Sequence, residues 1–223
     1  NPEAGLAYCH SQPVDSLDQP VPDDLVWPDP AEAKHWQADF TNDGRDEIAK
    51  FLVIRCTLPN ASAVVFRRQL FQDVGGAPLD FRYAGDWVTW LKILFKSKIC
   101  YTNEVWNYHR KHAATITSGA ALDGCWAEEG YRVLHMIMGE MDLPEGQRQR
   151  VRDRLMVKWM SSWVHPQSRI DADRQDDIFS AAELADPELV RRAIRNIMIS
   201  GFPARCRLAW DIFKRKQSSE TAS

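Results

Sequence analysis

The sequence predicts an α/β first half, holding part of a mixed sheet with flanking helices, followed by an all-helical C-terminal subdomain. Three observations predict it. Up to about residue 117, short β-branched or apolar runs alternate with segments of helical composition. Beyond that point the strand signals stop, and apolar residues recur three and four apart. Of the 223 residues 44% are hydrophobic, enough for one sizeable domain or two small ones with a packed core. The expected division is residues 1–117, residues 118–216 and a polar, disordered tail at 217–223.

The first element is the apolar run Gly5-Leu6-Ala7-Tyr8-Cys9, which reads as a buried strand. It starts so near the first residue that the sequence reads as a segment cut from a longer chain. Residues 11–30 are rich in Pro and Asp and lack periodicity, so they read as a surface loop. Helix-forming residues resume over 47–54, and residues 62–66 form a β-branched run. A helix over 67–74 should stop at Gly75-Gly76. Over 86–96, Trp87, Trp90, Leu91, Leu94 and Phe95 mark a helix with one buried face, and Asp86 stands at its start. Residues 98–102 and 105–109 read as two short strands joined by a turn at Asn103-Glu104.

In the second half, Trp126, Val133, Leu134, Ile137, Met138 and Met141 make one helical stripe. Val151, Leu155, Trp159, Met160 and Trp163 make another. Two further helices are expected over 187–200 and 203–216, each with proline in its first turn. Asp171-Ala172-Asp173 and Asp176-Asp177 read as solvated loop acids.

The net charge of −3 hides two ends of opposite sign. Residues 1–47 carry eleven acids against Lys34 and Arg45, whereas residues 187–217 carry eight Arg or Lys against Glu188 and Asp211. The chain as a whole lacks the basic surplus that binding to nucleic acid requires. The basic end allows peripheral contact with an anionic membrane, although helices docked by their apolar faces with solvated arginines are the more ordinary reading. No apolar stretch approaches the roughly 20 residues that span a bilayer, and no signal pattern opens the sequence, so a cytoplasmic protein is expected. Cys9, Cys56, Cys100, Cys125 and Cys206 are odd in number, scattered and never in a C-x-x-C pair. They read as reduced packing residues.

Three ordered segments carry more information than any of these. The first is Asn60-Ala61-Ser62-Ala63-Val64-Val65-Phe66-Arg67-Arg68 with Phe71 and Val74-Gly75-Gly76. The second is Tyr83-Ala84-Gly85-Asp86-Trp87-Val88-Thr89-Trp90-Leu91. The third is Asn107-Tyr108-His109-Arg110-Lys111-His112 with Thr115 and Thr117. Together they resemble the acceptor-side, C-terminal half of family 2 inverting glycosyltransferases of the GT-A fold, particularly bacterial enzymes of surface-polysaccharide synthesis. They match that family's "FRR" helix with its "VGG" turn, its "GDW" helix start and its "NYxRxH" strand end. The resemblance covers roughly residues 5–117 and implies a partial GT-A-like mixed sheet. It says nothing of the helical half.

The resemblance implies that Asp86 is the general base. It would take a proton from an acceptor hydroxyl as that oxygen attacks the anomeric carbon of a nucleotide sugar, with inversion and loss of a nucleoside diphosphate. The bland reading is a helix-start carboxylate that meets free N–H groups and the positive end of the helix dipole. Gly85 stands where the family usually has a second acid, which leaves one fewer charge at the site. Trp87 is a candidate wall for a sugar ring or a core residue, and Trp90 reads as core. Arg110 and Lys111 are candidate phosphate-oxygen ligands. His112 matches a histidine that in some GT-A enzymes completes the coordination of a divalent cation, Mg²⁺ or Mn²⁺, or touches the diphosphate; a surface histidine is the plainer alternative. His109 and His112 form an H-x-x-H pair without a third ligand, so zinc is not expected.

The family's nucleotide-binding strands and D-x-D precede the matched region, and Asp23-Asp24 falls too late to replace them. The expectation is therefore a fragment inactive alone, whose parent takes a nucleotide sugar and a glycan or lipid-linked acceptor. The alternative is a noncatalytic module, derived from such an enzyme, that binds glycan or protein. A partial sheet leaves an edge, to be hidden by a homodimer or by the C-terminal helices.

Overall fold

A computed structural model describes residues 1–22, 30–58, 60–111, 123–164, 170–188 and 191. The chain divides into two compact units, Asn1–Thr115 and Ile116–Ser223.

The first unit is built on a mixed four-stranded sheet in the order β2-β4-β1-β3. Its strands are β1 (Ala4–Val14), β2 (Phe40–Asp43), β3 (Val64–Phe66) and β4 (Lys98–Arg110). β1 and β4 run parallel down the centre, while β2 and β3 pair antiparallel at the two sides. Around them lie α1 (Pro30–Ala33), a 3₁₀ turn (Lys34–Gln37), α2 (Gly44–Glu47) running into a π turn (Ile48–Leu52), α3 (Arg68–Asp73) and α4 (Gly85–Leu94). The core gathers Leu6 and Ile99 from the central strands, Ile48 and Leu52 from the π turn, and Val88, Leu91 and Leu94 from α4. Each such side chain contributes about 1.5–3 kcal/mol of hydrophobic free energy.

α3 ends where the sequence says it must, because Gly75 and Gly76 both take positive φ, at 82° and 70°. Gly44 opens α2 for a different reason. Its backbone N–H donates to the Ser97 carbonyl at 3.1 Å, and a Cβ there would run into the Leu94 and Ser97 carbonyls.

Two strand expectations change. β1 does not stop at Cys9 but continues through Ser11-Gln12-Pro13-Val14, so only the residues after Val14 leave the sheet. Proline is tolerated because β3 pairs with β1 only at residues 6–8, and the Pro13 carbonyl on that open side accepts from Val21 N–H at 3.0 Å. Residues 98–110 form one strand, not two. The supposed turn at Asn103-Glu104 is absorbed as extra residues in the ladder, where Cys9↔Thr102 is followed by His10↔Val105. Asp39 holds the irregularity, its Oδ1 accepting from Asn103 N–H at 2.8 Å and from the Thr102 hydroxyl at 3.2 Å.

The second unit is all-helical among its described residues, with α5 (Cys125–Glu140), α6 (Glu145–Val164) and α7 (Ala172–Ala185). Tyr131, Val133, Leu134 and Ile137 of α5 are buried with Ile178, Ala181 and Ala182 of α7, and α5 also touches α6. Val151 and Leu155 of the expected α6 stripe are buried, while Trp159, Met160 and Trp163 have side chains outside the described set. The acids at 171–177 are not loop residues. Asp171 caps α7, accepting from Arg174 N–H at 2.9 Å, and the other three lie within the helix. Burial on this helix rests on Ile178 and small alanines, too weak a stripe to stand out in the sequence. Gly124 precedes α5 with φ 74°, and a Cβ there would press on the side chains of Ile178 and Ile170 at 2.8 and 3.0 Å. Of the helices expected over 187–200 and 203–216, only the first residues of the former are described.

Among the described residues no helix is long and apolar enough to cross a membrane. Cys9, Cys56, Cys100 and Cys125 are free thiols; Cys206 lies outside the described residues.

Candidate active site

α4 is tied to the front of β4 by a short turn over 95–97 that returns the chain on itself. Its N-terminus is thereby carried toward the carboxyl ends of the parallel strands β1 and β4, the end of an α/β sheet where ligands usually bind. Burial of Val88, Trp90, Leu91, Ile93 and Leu94 fixes the helix against the sheet, and Phe66 lies 5.7 Å from the Trp90 ring. Thr89 Oγ1 donates to the Gly85 carbonyl at 2.7 Å and tightens the first turn.

Asp86 is the second residue of this helix and is exposed. It is not the cap; Ala84 occupies that position without a side-chain bond. The Asp86 carboxylate instead accepts from the neighbouring Trp87 N–H at 2.7 Å. Surrounding protein atoms raise its pKa above the usual carboxylate value, because desolvation of the charged form outweighs the hydrogen bonds that favour it. The Cys56 thiol is close enough to feel the Asp86 charge. Burial first, and then that charge, push its pKa up, so it stays a neutral thiol.

The other expected residues are distributed unevenly. Trp90 is buried as core, and Trp87 is half-buried with its indole N–H enclosed and unpartnered among the described residues. Arg110 ends β4, its guanidinium bonded to Asp18 at 2.6 Å and to the carbonyls of Asp15 and Ser16. That network pins Arg110 to the turn after β1. The Lys111 backbone N–H donates to the Val14 carbonyl at 2.8 Å. His109 is exposed, while His112, Thr115, Thr117 and Asp23-Asp24 lie outside the described residues. Among the described residues no group of three or more His, Cys, Asp or Glu is placed to hold a metal ion.

Sequence reasoning missed a second cluster in this unit. Glu47, only 1% exposed, is held by His35 Nε2 at 3.0 Å and by Asn42 Nδ2 at 2.9 Å. The His35 ring is stacked between Phe40 and Phe51 at 4.1 and 4.4 Å. Beside it, Trp36 Nε1 donates to Tyr8 Oη at 2.7 Å, and burial pushes the Tyr8 phenol well above its ordinary pKa. The signal was present in the aromatic and polar residues of His35-Trp36 and Phe40-Thr41-Asn42, but nothing in their spacing links them to Glu47.

No family model matches this chain, and no curated protein matches it in sequence.

Proposed function

We propose that this chain is the acceptor-side portion of an inverting GT-A glycosyltransferase, with Asp86 as the general base. The carrying observation is an exposed carboxylate at the start of α4, with its basicity raised by partial desolvation. A carboxylate so placed accepts the proton of an incoming sugar hydroxyl while that oxygen attacks the donor's anomeric carbon and the nucleoside diphosphate departs. Trp87, next in the helix, offers an aromatic wall for the acceptor ring. Arg110 and Lys111, at the end of the neighbouring strand, lie toward the diphosphate in this reading, with Arg110 first having to exchange its Asp18 contact. The nucleotide-binding half and a divalent cation belong to the rest of a longer chain, which acts at the inner face of the cytoplasmic membrane on a glycan or lipid-linked acceptor.

The test joins this segment to its donor-binding half and measures nucleoside diphosphate release from a panel of nucleotide sugars with acceptor present. Asp86→Asn should abolish acceptor-dependent release while leaving donor binding intact. Full transfer by that variant would refute the assignment. So would turnover by the 223-residue chain alone, because the donor site would then have to lie within it.

A further inference from the structure

Asn60 and Asn107 open two of the three ordered segments, yet neither has a part in the chemistry assigned to Asp86. The structure brings them together. The ladder between β1 and β3 ends at Tyr8↔Val64, and farther along β1 side chains take over the connection. Ser11 stands opposite Asn107 in the β1–β4 register. Its hydroxyl, on a residue only 4% exposed, accepts from Asn107 Nδ2 at 2.9 Å and from Asn60 Nδ2 at 3.2 Å. Asn107 Nδ2 also donates to Asn60 Oδ1 at 3.2 Å. The Ala63 backbone N–H donates to that same oxygen at 3.1 Å, so Asn60 caps the 3₁₀ turn Ala61–Ala63 while it grips both central strands. The Ala63 bond fixes which way the Asn60 amide points, and the Asn60 oxygen in turn orients the amide of Asn107.

What this network holds in place is the chain just before Asn60. The π turn packs against α4, and Leu52, Val53, Thr57 and Leu58 are each no more than 3% exposed. Cys56 lies in this stretch, within reach of the Asp86 charge. Residues 56–58 supply little hold of their own. The Cys56 thiol turns back to the Leu58 carbonyl at 3.5 Å, and the buried Thr57 hydroxyl has no partner among the described residues. The hydrogen-bonded anchor nearest to them in the chain is Asn60.

We propose that Asn60, anchored by Ser11 and Asn107, is a positioning residue for Asp86: it holds residues 56–58 beside the start of α4, where they keep water from one side of the carboxylate. The inference deepens the reading of Asp86 as general base and rests on it for its consequence in catalysis. Desolvation is the leading cause of the raised Asp86 pKa, working against the bonds from the Trp87 N–H and from its own. Exclusion of water, not a neighbouring charge, therefore sets it, and the Cys56 thiol is the titratable group that faces it. A residue that fixes the excluding wall fixes the basicity as well.

The test is a carboxyl NMR titration of the 223-residue chain, with the Asp86 signal assigned by its loss in Asp86→Asn. In the wild type it should titrate above the ordinary value of about 3.9. Asn60→Ala should bring it down toward that value, with circular dichroism showing that the fold is kept. Asn107→Ala withdraws the support from the β4 side and should act in the same direction, a second route should Asn60→Ala fail to fold. Asn60→Asp keeps both acceptor bonds and lets the Ser11 hydroxyl donate in its turn, so Asp86 should stay at or above its wild-type value. An Asp86 titration unmoved by Asn60→Ala and Asn107→Ala in folded protein, or lowered as much by Asn60→Asp as by Asn60→Ala, would overturn the proposal. In the joined enzyme the acidic limb of transfer should follow the titration in Asn60→Ala. If the titration moves but Asp86→Asn still transfers sugar, the positioning role stands and the transferase reading falls. If Asp86→Asn abolishes transfer while the titration ignores Asn60, the reverse holds.

Discussion

Glu47 closes the short helix α2 and Asp86 opens α4 in the same unit, yet the chain treats these two carboxylates in opposite ways. Glu47 is removed from water and compensated, each oxygen having a donor and its histidine partner clamped between two phenyl rings. Asp86 is left exposed, with backbone N–H donors from Trp87 and from Asp86 itself, and desolvation still raises its pKa. A buried acid that is fully hydrogen-bonded organises structure. An accessible acid whose charged form is partly desolvated is poised to accept a proton. The comparison teaches that exposure and incomplete satisfaction, rather than burial, mark the carboxylate available for chemistry.

The sharpest way to break this comparison is to exchange the roles by mutation. In the joined enzyme Asp86→Asn should lower acceptor-dependent transfer by about 10²–10⁴-fold without loss of fold. Glu47→Gln should leave transfer within a few-fold of wild type; an equal loss there would place the chemistry at the wrong acid. Stability should move the other way. Glu47→Ala strands His35 and Asn42 and should cost about 3 kcal/mol in denaturant unfolding, whereas Glu47→Gln, which keeps an acceptor, should cost about 1–2 kcal/mol.

A subtler effect is the pH profile. Because only ionised Asp86 accepts a proton, transfer should fall as pH drops through its pKa. That acidic limb should lie above the ordinary carboxylate value of about 3.9. The smallest effect concerns stability at the same residue. A carboxyl with a folded-state pKa above its unfolded value contributes stability below the unfolded pKa and loses it as pH rises through the folded one. Ionised Asp86 therefore costs a little stability at neutral pH. Screening at an exposed position keeps this small, so Asp86→Asn should raise the Tm by only about 1–2 °C at pH 7, the gain fading as pH falls through the raised folded-state pKa and gone below about pH 4.

Legibility differed from element to element for physical reasons. α4 and α5 were readable because their apolar residues recur at helical spacing and are buried along that face. α7 was not, because alanines do most of its packing and its acids look like a loop. The continuation of β1 through Pro13 was hidden by composition, since only the parallel neighbour β4 and the open opposite side make proline acceptable there. The bulge at Asn103 was read as a turn because the Asp39 carboxylate that holds it lies far away in the chain. Asp86 was singled out from its motif, but its exposure and its neighbour Cys56 were not accessible to any pattern.

By itself the sequence determined which segments are helical or extended where one face is strongly apolar, and that Gly75-Gly76 must end a helix. Local periodicity and backbone sterics suffice for these, because they act over a few residues. The tertiary structure alone decided the order of strands, the pairing of Glu47 with His35 and Asn42, and the tying of Arg110 to Asp18. Those outcomes depend on residues distant in the chain meeting in space, where desolvation and hydrogen-bond satisfaction are settled jointly.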